Sequence, residues 1–203
     1  MNHLLRSAHF HVLSLVLLGI FLWPSSSHAQ REMGLFHAAA SGDLEEVKSA
    51  LAHGSDVNFR GPGGFAPLNA AARNGHLEIV QYLVERGANI DQNDNHLHKT
   101  ALLAASFERH FDIVQYLVEK GANVNAQSMN GFTPLHDAAY VGNLQIVRFL
   151  VDHGADVRIK NGHDQTPLET ARWGSGRAAG NGRTEATPED YQKVIDYLRA
   201  HGG

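Results

Sequence analysis

Imidazole and carboxylate are the reactive groups this chain has in quantity: among its 203 residues are fourteen histidines and twenty-one acids, but no cysteine. Without cysteine, thiol nucleophiles, disulfide frameworks, zinc ribbons and iron–sulfur sites are all excluded. The densest ligand-type cluster is Asp94, His96 and His98, a D-x-H-x-H run that could gather around a cation. It sits in a turn, however, and lacks the i, i+4 helical spacing of H-E-x-x-H sites, so no metal is expected. A small-ligand or metal-binding loop at these three residues stands as an alternative reading. Gly174-Ser175-Gly176-Arg177-Ala178-Ala179 matches G-x-G-x-x-A, but no strand precedes it and a phosphate-binding role is not expected. There is no G-x-S-x-G, no Ser/His/Asp set and no isolated carboxylate pair in an apolar setting. The expectation is a protein that is not an enzyme and needs no cofactor; a catalytic site built from the 174–188 insert is the alternative.

The elements that carry these residues recur. Ala66-Pro67-Leu68-Asn69, Thr100-Ala101-Leu102-Leu103, Thr133-Pro134-Leu135-His136 and Thr166-Pro167-Leu168-Glu169 are one phrase at spacings of 34, 33 and 33. Between them lies a second phrase, seen at Leu77–Leu83, Phe111–Leu117 and Leu144–Leu150, and each copy closes near a glycine (Gly87, Gly121, Gly154). Thr133 suits a helix N-cap and Pro134 the first helical turn, where its missing N–H costs nothing. Gly142 can end that helix in a left-handed conformation. Ile146, Val147, Phe149 and Leu150 then form an apolar stripe at helical spacing that must be buried. His53, Arg86, Lys120, His153 and His201 precede closing glycines, at the negative end of the helix dipole. Asn130-Gly131 and Asn161-Gly162 predict tight, hairpin-like reversals.

A 33-residue unit containing T-P-L-H resembles the ankyrin repeat. The resemblance covers about residues 31–203 and implies an all-α solenoid of about five stacked helix-turn-helix repeats joined by β-turn or hairpin loops. The copies run over about 31–63, 64–97, 98–130, 131–163 and 164–203, the last with about 15 inserted residues near 174–188. In that family the imidazole at His136 hydrogen-bonds between repeats. The resemblance also implies a protein partner gripped by a concave face. Exported bacterial proteins of similar appearance protect or support periplasmic enzymes, or neutralise toxins.

One copy cannot cover its own apolar face, so shared residues are spent on stacking and unshared ones are free to bind. Seven positions after the start of each signature stand Arg73, Phe107, Tyr140 and Trp173, a column expected to serve as interface anchors. With loop-tip residues the expected contact set is Arg60, Phe65, Arg73, Asn93, His96, Phe107, Glu108, Met129, Phe132, Tyr140, Val141, Lys160, His163 and Trp173. The insert, rich in glycine with two arginines, is expected to be a flexible loop. Arg109 occupies the left-handed position held elsewhere by Gly42, Gly75 and Gly142.

The first residues form an address. Arg6 precedes an apolar run from Val12 to Trp23, then Pro24, three serines and Ser27-His28-Ala29. This is the order of a secretory signal peptide over residues 1–29, leaving a domain at 30–203. The formal charge of −4 argues against a nucleic-acid partner. Absent cysteines and N-x-Ser/Thr triplets suit a bacterial periplasm, with the extracellular space as the alternative. A monomer without membrane attachment after cleavage is expected.

Overall fold

The structure, a computed structural model, describes residues 24–181 and 186–202. Among the described residues ten α-helices follow one another: α1 (Pro24–Ser41), α2 (Leu44–Ala52), α3 (Pro67–Arg73), α4 (Leu77–Glu85), α5 (Ala101–Phe107), α6 (Phe111–Glu119), α7 (Pro134–Tyr140), α8 (Leu144–Asp152), α9 (Pro167–Asn181) and α10 (Pro188–Ala200). Odd-numbered helices pack side by side in one layer and even-numbered ones in a second, each pair forming a hairpin. The core lies between the layers. Its even-helix contribution recurs as Ile79, Val80 and Leu83, then Ile113, Val114 and Leu117, then Ile146, Val147 and Leu150, then Val194, Ile195 and Leu198.

Helix starts follow the expected chemistry. The hydroxyls of Thr100, Thr133 and Thr187 accept the N–H three residues on, and proline opens α7 and α10. The first helices of inner copies stop where Gly75, Arg109 and Gly142 take φ of +81°, +69° and +71°. Arg109 accepts a conformation that costs a side-chain residue roughly 1–2 kcal/mol, and its guanidinium donates to the Val141 carbonyl at 3.0 Å. At the C-termini of α2, α8 and α10, His53, His153 and His201 donate through Nδ1 to carbonyls at 2.8, 2.7 and 2.7 Å. Imidazole therefore caps the helix chemically as well as through its position at the dipole.

The loops are joined copy to copy by backbone bonds. Asn95, Met129 and Gly162 each donate an N–H to the preceding tip, at Gly63, Leu97 and Asn130, over 3.2, 2.8 and 2.8 Å. Hairpin-like closure holds within each tip, as in Ser128 N–H to Phe132 O at 2.8 Å, although no strand forms among the described residues. Gly131 turns with φ +73°, whereas in the next loop Asp164, at +60°, makes the reversal instead of Gly162. Gly162 serves by being small, since a Cβ there would sit 3.1 Å from the Asn130 carbonyl oxygen.

One expectation is corrected. Residues 174–181 continue α9 as helix and do not form a flexible loop. Ser175 holds the position that is left-handed in the inner copies, but here it stays helical and the ladder runs on. The helix of the first copy, α1, starts at Pro24. The apolar run Val12–Trp23 lies outside the described residues, and no described helix is long and apolar enough to cross a membrane.

Candidate protein-binding groove

Arg73, Phe107 and Tyr140 are the last residues of α3, α5 and α7, so the stacking of first helices brings them into one column continued by Trp173 of α9. The Phe107 and Tyr140 rings lie 6.1 Å apart and near-parallel at 10°, and Tyr140 and Trp173 lie 5.2 Å apart at 42°. Phe107 and Trp173 remain 36% and 42% exposed, and Tyr140 is half-buried. The rings pack against one another and still keep open edges. Lys99 Nζ stands 4.7 Å over the Phe107 ring and Arg177 Cζ 5.4 Å over that of Trp173. Arg73 approaches Glu108 at 3.6 Å, a loose, exposed pair.

Beside the column run two adjoining clefts of about 110 and 300 Å³ that share Leu97, Lys99 and Phe107. Of the expected contacts, Phe65, Arg73, Phe107 and Glu108 line the smaller, and Phe107, Phe132, Tyr140 and Trp173 the larger. Val141 is corrected: it is 7% exposed, because a further helical step turns it from the groove into the core. Arg60 ties loops together, donating to the Asn93 carbonyl at 2.8 Å and to Asn95 Oδ1 at 3.0 Å. Met129 projects from its tip 58% exposed. Lys160 pairs with Asp164 at 2.9 Å, and His163 lies edge-on to Phe132 at 6.5 Å. Arg60, Asn93, His96, Met129, Lys160 and His163 line neither of these clefts.

Asp137 and its partner Lys99 were not expected. The carboxyl is 3% exposed at the wall of the larger cleft, with Lys99 Nζ at 3.4 Å. Burial pushes its pKa up to about 6, against the pull of Lys99. Two comparisons between copies carry the signal: Asp137 aligns with Ala70, Ala104 and Thr170, and Lys99 with Phe65, Phe132 and Gln165. His136 behaves as the resemblance implied. Its Nε2 donates to the Gln165 carbonyl of the next copy at 3.0 Å, and its Nδ1 accepts from the Thr133 N–H at 3.2 Å. Burial holds this imidazole below its ordinary pKa, as suits a neutral structural group. Asn69 takes the equivalent place and donates to the Gln92 and Lys99 carbonyls at 3.0 and 2.9 Å.

The D-x-H-x-H cluster does not assemble as ligands. Asp94 is fully buried and its carboxylate accepts the N–H groups of His96, Leu97 and Lys99 at 2.9, 2.6 and 3.3 Å. It shapes the longer loop. Among the described residues no three His, Cys, Asp or Glu side chains gather around a common point.

A stack of helical hairpins joined tip to tip, with a groove between loops and first helices, defines a repeat solenoid. The family model described as ankyrin repeats (3 copies) matches residues 35–128, 91–161 and 123–179, and the chain belongs to the ankyrin-repeat family. Among similar proteins, alpha-latrotoxin-Lt1a of Latrodectus tredecimguttatus is 46% identical over 51% of this chain and 8% of its own. Human ankyrin repeat domain-containing protein 39 is 38% identical over 30% of this chain and 33% of its own. Human protein phosphatase 1 regulatory subunit 27 is 34% identical over 34% of this chain and 44% of its own. The chain thus spans less than half the length of these relatives. Ankyrin repeats are in general protein–protein interaction modules.

Proposed function

We propose that this chain is a non-catalytic module that binds another protein through the groove between its loop tips and first helices. The observation that carries the reading is the aromatic column, whose first and last rings, Phe107 and Trp173, stay 36% and 42% exposed. Large aromatics held at fixed spacing lose little entropy on docking and are frequent interface anchors. A relative named as a regulatory subunit is consistent with a role in supporting or restraining an enzyme. The leader at residues 1–29 directs the chain to a bacterial periplasm, where the partner is an enzyme to be protected or a toxin to be inhibited.

The test joins capture to stability. Tyr140→Ala combined with Trp173→Ala is expected to abolish capture of a periplasmic protein that the wild type retains, identified by mass spectrometry and titrated by calorimetry. Tm and helical content are expected to stay close to wild type. A large fall in Tm would make the column a packing device and end the assignment. A mature protein recovered from the cytoplasm with residues 1–29 attached would overturn the export.

A further inference from the structure

The chain as a whole carries −4, but the charges its groove exposes are mainly cationic, with Arg73 and Arg177 open to solvent while Asp94 and Asp137 are buried. Of the groove's three acids, Asp94 is buried and accepts backbone N–H groups, Asp137 lies buried beside Lys99, and Glu108, the more open one, faces Arg73 at 3.6 Å. Its cations are held where a visitor would meet them, Lys99 over the first ring of the aromatic column and Arg177 over the last. Between them the larger cleft is walled by Leu97, Phe107, Phe132 and Tyr140. We propose that this groove takes a segment of another protein in which a large apolar side chain is flanked by carboxylates. The inference rests on the reading of the groove as a protein-binding surface and names the chemistry of what enters it.

Each part of the segment has a counterpart. The apolar side chain fills a cleft of about 300 Å³, releasing water from apolar walls. The carboxylates meet an ammonium and a guanidinium already positioned on ring faces, so less rotamer freedom is lost in forming the pairs. A basic segment would meet like charge at both ends of the column, which selects against it.

The experiment is selection of a displayed random-peptide library on the immobilised full chain, with the Tyr140→Ala/Trp173→Ala variant as counter-target. Enriched sequences are expected to place Asp or Glu close to Phe, Trp, Leu or Met. Synthetic versions, titrated by fluorescence anisotropy, should bind about three-fold more weakly to Lys99→Met and to Arg177→Glu, as for single partly exposed charges. Added salt should weaken binding to the wild type. Enriched peptides with basic or uncharged flanks, or with affinities indifferent to both substitutions and to salt, overturn the charge inference and leave the groove standing. Peptides that bind the column variant equally well, or an absence of enrichment, remove the groove reading itself. Retention on anionic lipid vesicles that disappears with the same two substitutions would assign the cations to a membrane surface instead.

Discussion

A carboxyl group with 3% of its surface exposed costs free energy when ionised, unless its partners repay the lost hydration. Asp137 has Lys99 at 3.4 Å, a long ion pair, and Glu108 opposes its ionisation. Its pKa of about 6 lies above the ordinary 3.8, so between these values the folded chain holds a proton that the unfolded chain has released. The resulting stabilisation is full below the unfolded pKa and is lost as pH rises through about 6. His136 contributes the opposite slope, because its depressed pKa favours folding above the ordinary value and is felt as a loss on acidification. Asp137→Asn removes the first effect alone. Urea midpoints should show this variant gaining on wild type between about pH 4.5 and pH 7.5, by on the order of 2 kcal/mol. An unchanged difference between the two pH values would mean the carboxyl ionises freely. At this scale the sequence was half legible. Arg109 announced itself by standing in a glycine position. Lys99 and Asp137 differ visibly from their counterparts, but that two residues 38 apart meet is a product of stacking. Val141 was misplaced because adjacency to Tyr140 says nothing of the face to which a helix turns it.

Helix boundaries were the most readable elements, because capping chemistry is local. Threonine or proline at the start and glycine at the end account for α7 without reference to its neighbours. α9 was misread for a related reason: its glycines suggested a loop, whereas what stops a first helix is a left-handed residue at one position, and the residue there, Ser175, stays helical. Composition is a poor guide when a single backbone angle decides. The glycine that matters in α9 is Gly174, and it matters through packing. It is buried under α7, where an added Cβ would collide with the Tyr140 carbonyl oxygen and approach Tyr191 Cε1 at 3.0 Å. That same carbonyl accepts the Tyr191 hydroxyl at 2.9 Å, which locks α10 to the end of α7. Gly174→Ala should raise helix propensity by about 1 kcal/mol, yet lose about 1–3 kcal/mol to overpacking. The expected result in thermal unfolding is a net loss of stability, together with a shift in Trp173 fluorescence as α9 moves away from Tyr140. A stabilised variant would show that α9 can slide freely, and the ring spacing at Trp173 would then not be fixed by the fold.

Across the whole molecule, stability in a stack comes from each copy plus its interfaces with neighbours, so the ends are the weak points. Polar side chains in the loops record this. Asn58, Asp91 and Asn125 each accept the N–H of the next copy, at Asn89, Asn123 and Asp156, over 2.7, 3.0 and 2.9 Å. The equivalent N–H in the first copy is that of Asp56, and among the described residues no loop of an earlier copy accepts it. Glu32 of α1 takes that place, its two carboxylate oxygens accepting from Asp56 N–H at 3.0 and 3.2 Å while itself 2% exposed. A helix side chain thereby replaces a missing neighbour, and cleavage after Ala29 would leave it in the mature chain. Glu32→Ala should strip this end of its cap and leave a partly buried N–H without its acceptor, a loss of about 1–3 kcal/mol confined to one end. In native-state hydrogen exchange, amides of α1 and α2 are expected to exchange faster, while those of α5 to α8 keep wild-type protection. Faster exchange spread evenly along all five hairpins would mean that the stack unfolds as a single unit. The groove would then share the fate of its most weakly held copy, and no partner could be gripped by the middle repeats while the first one frays.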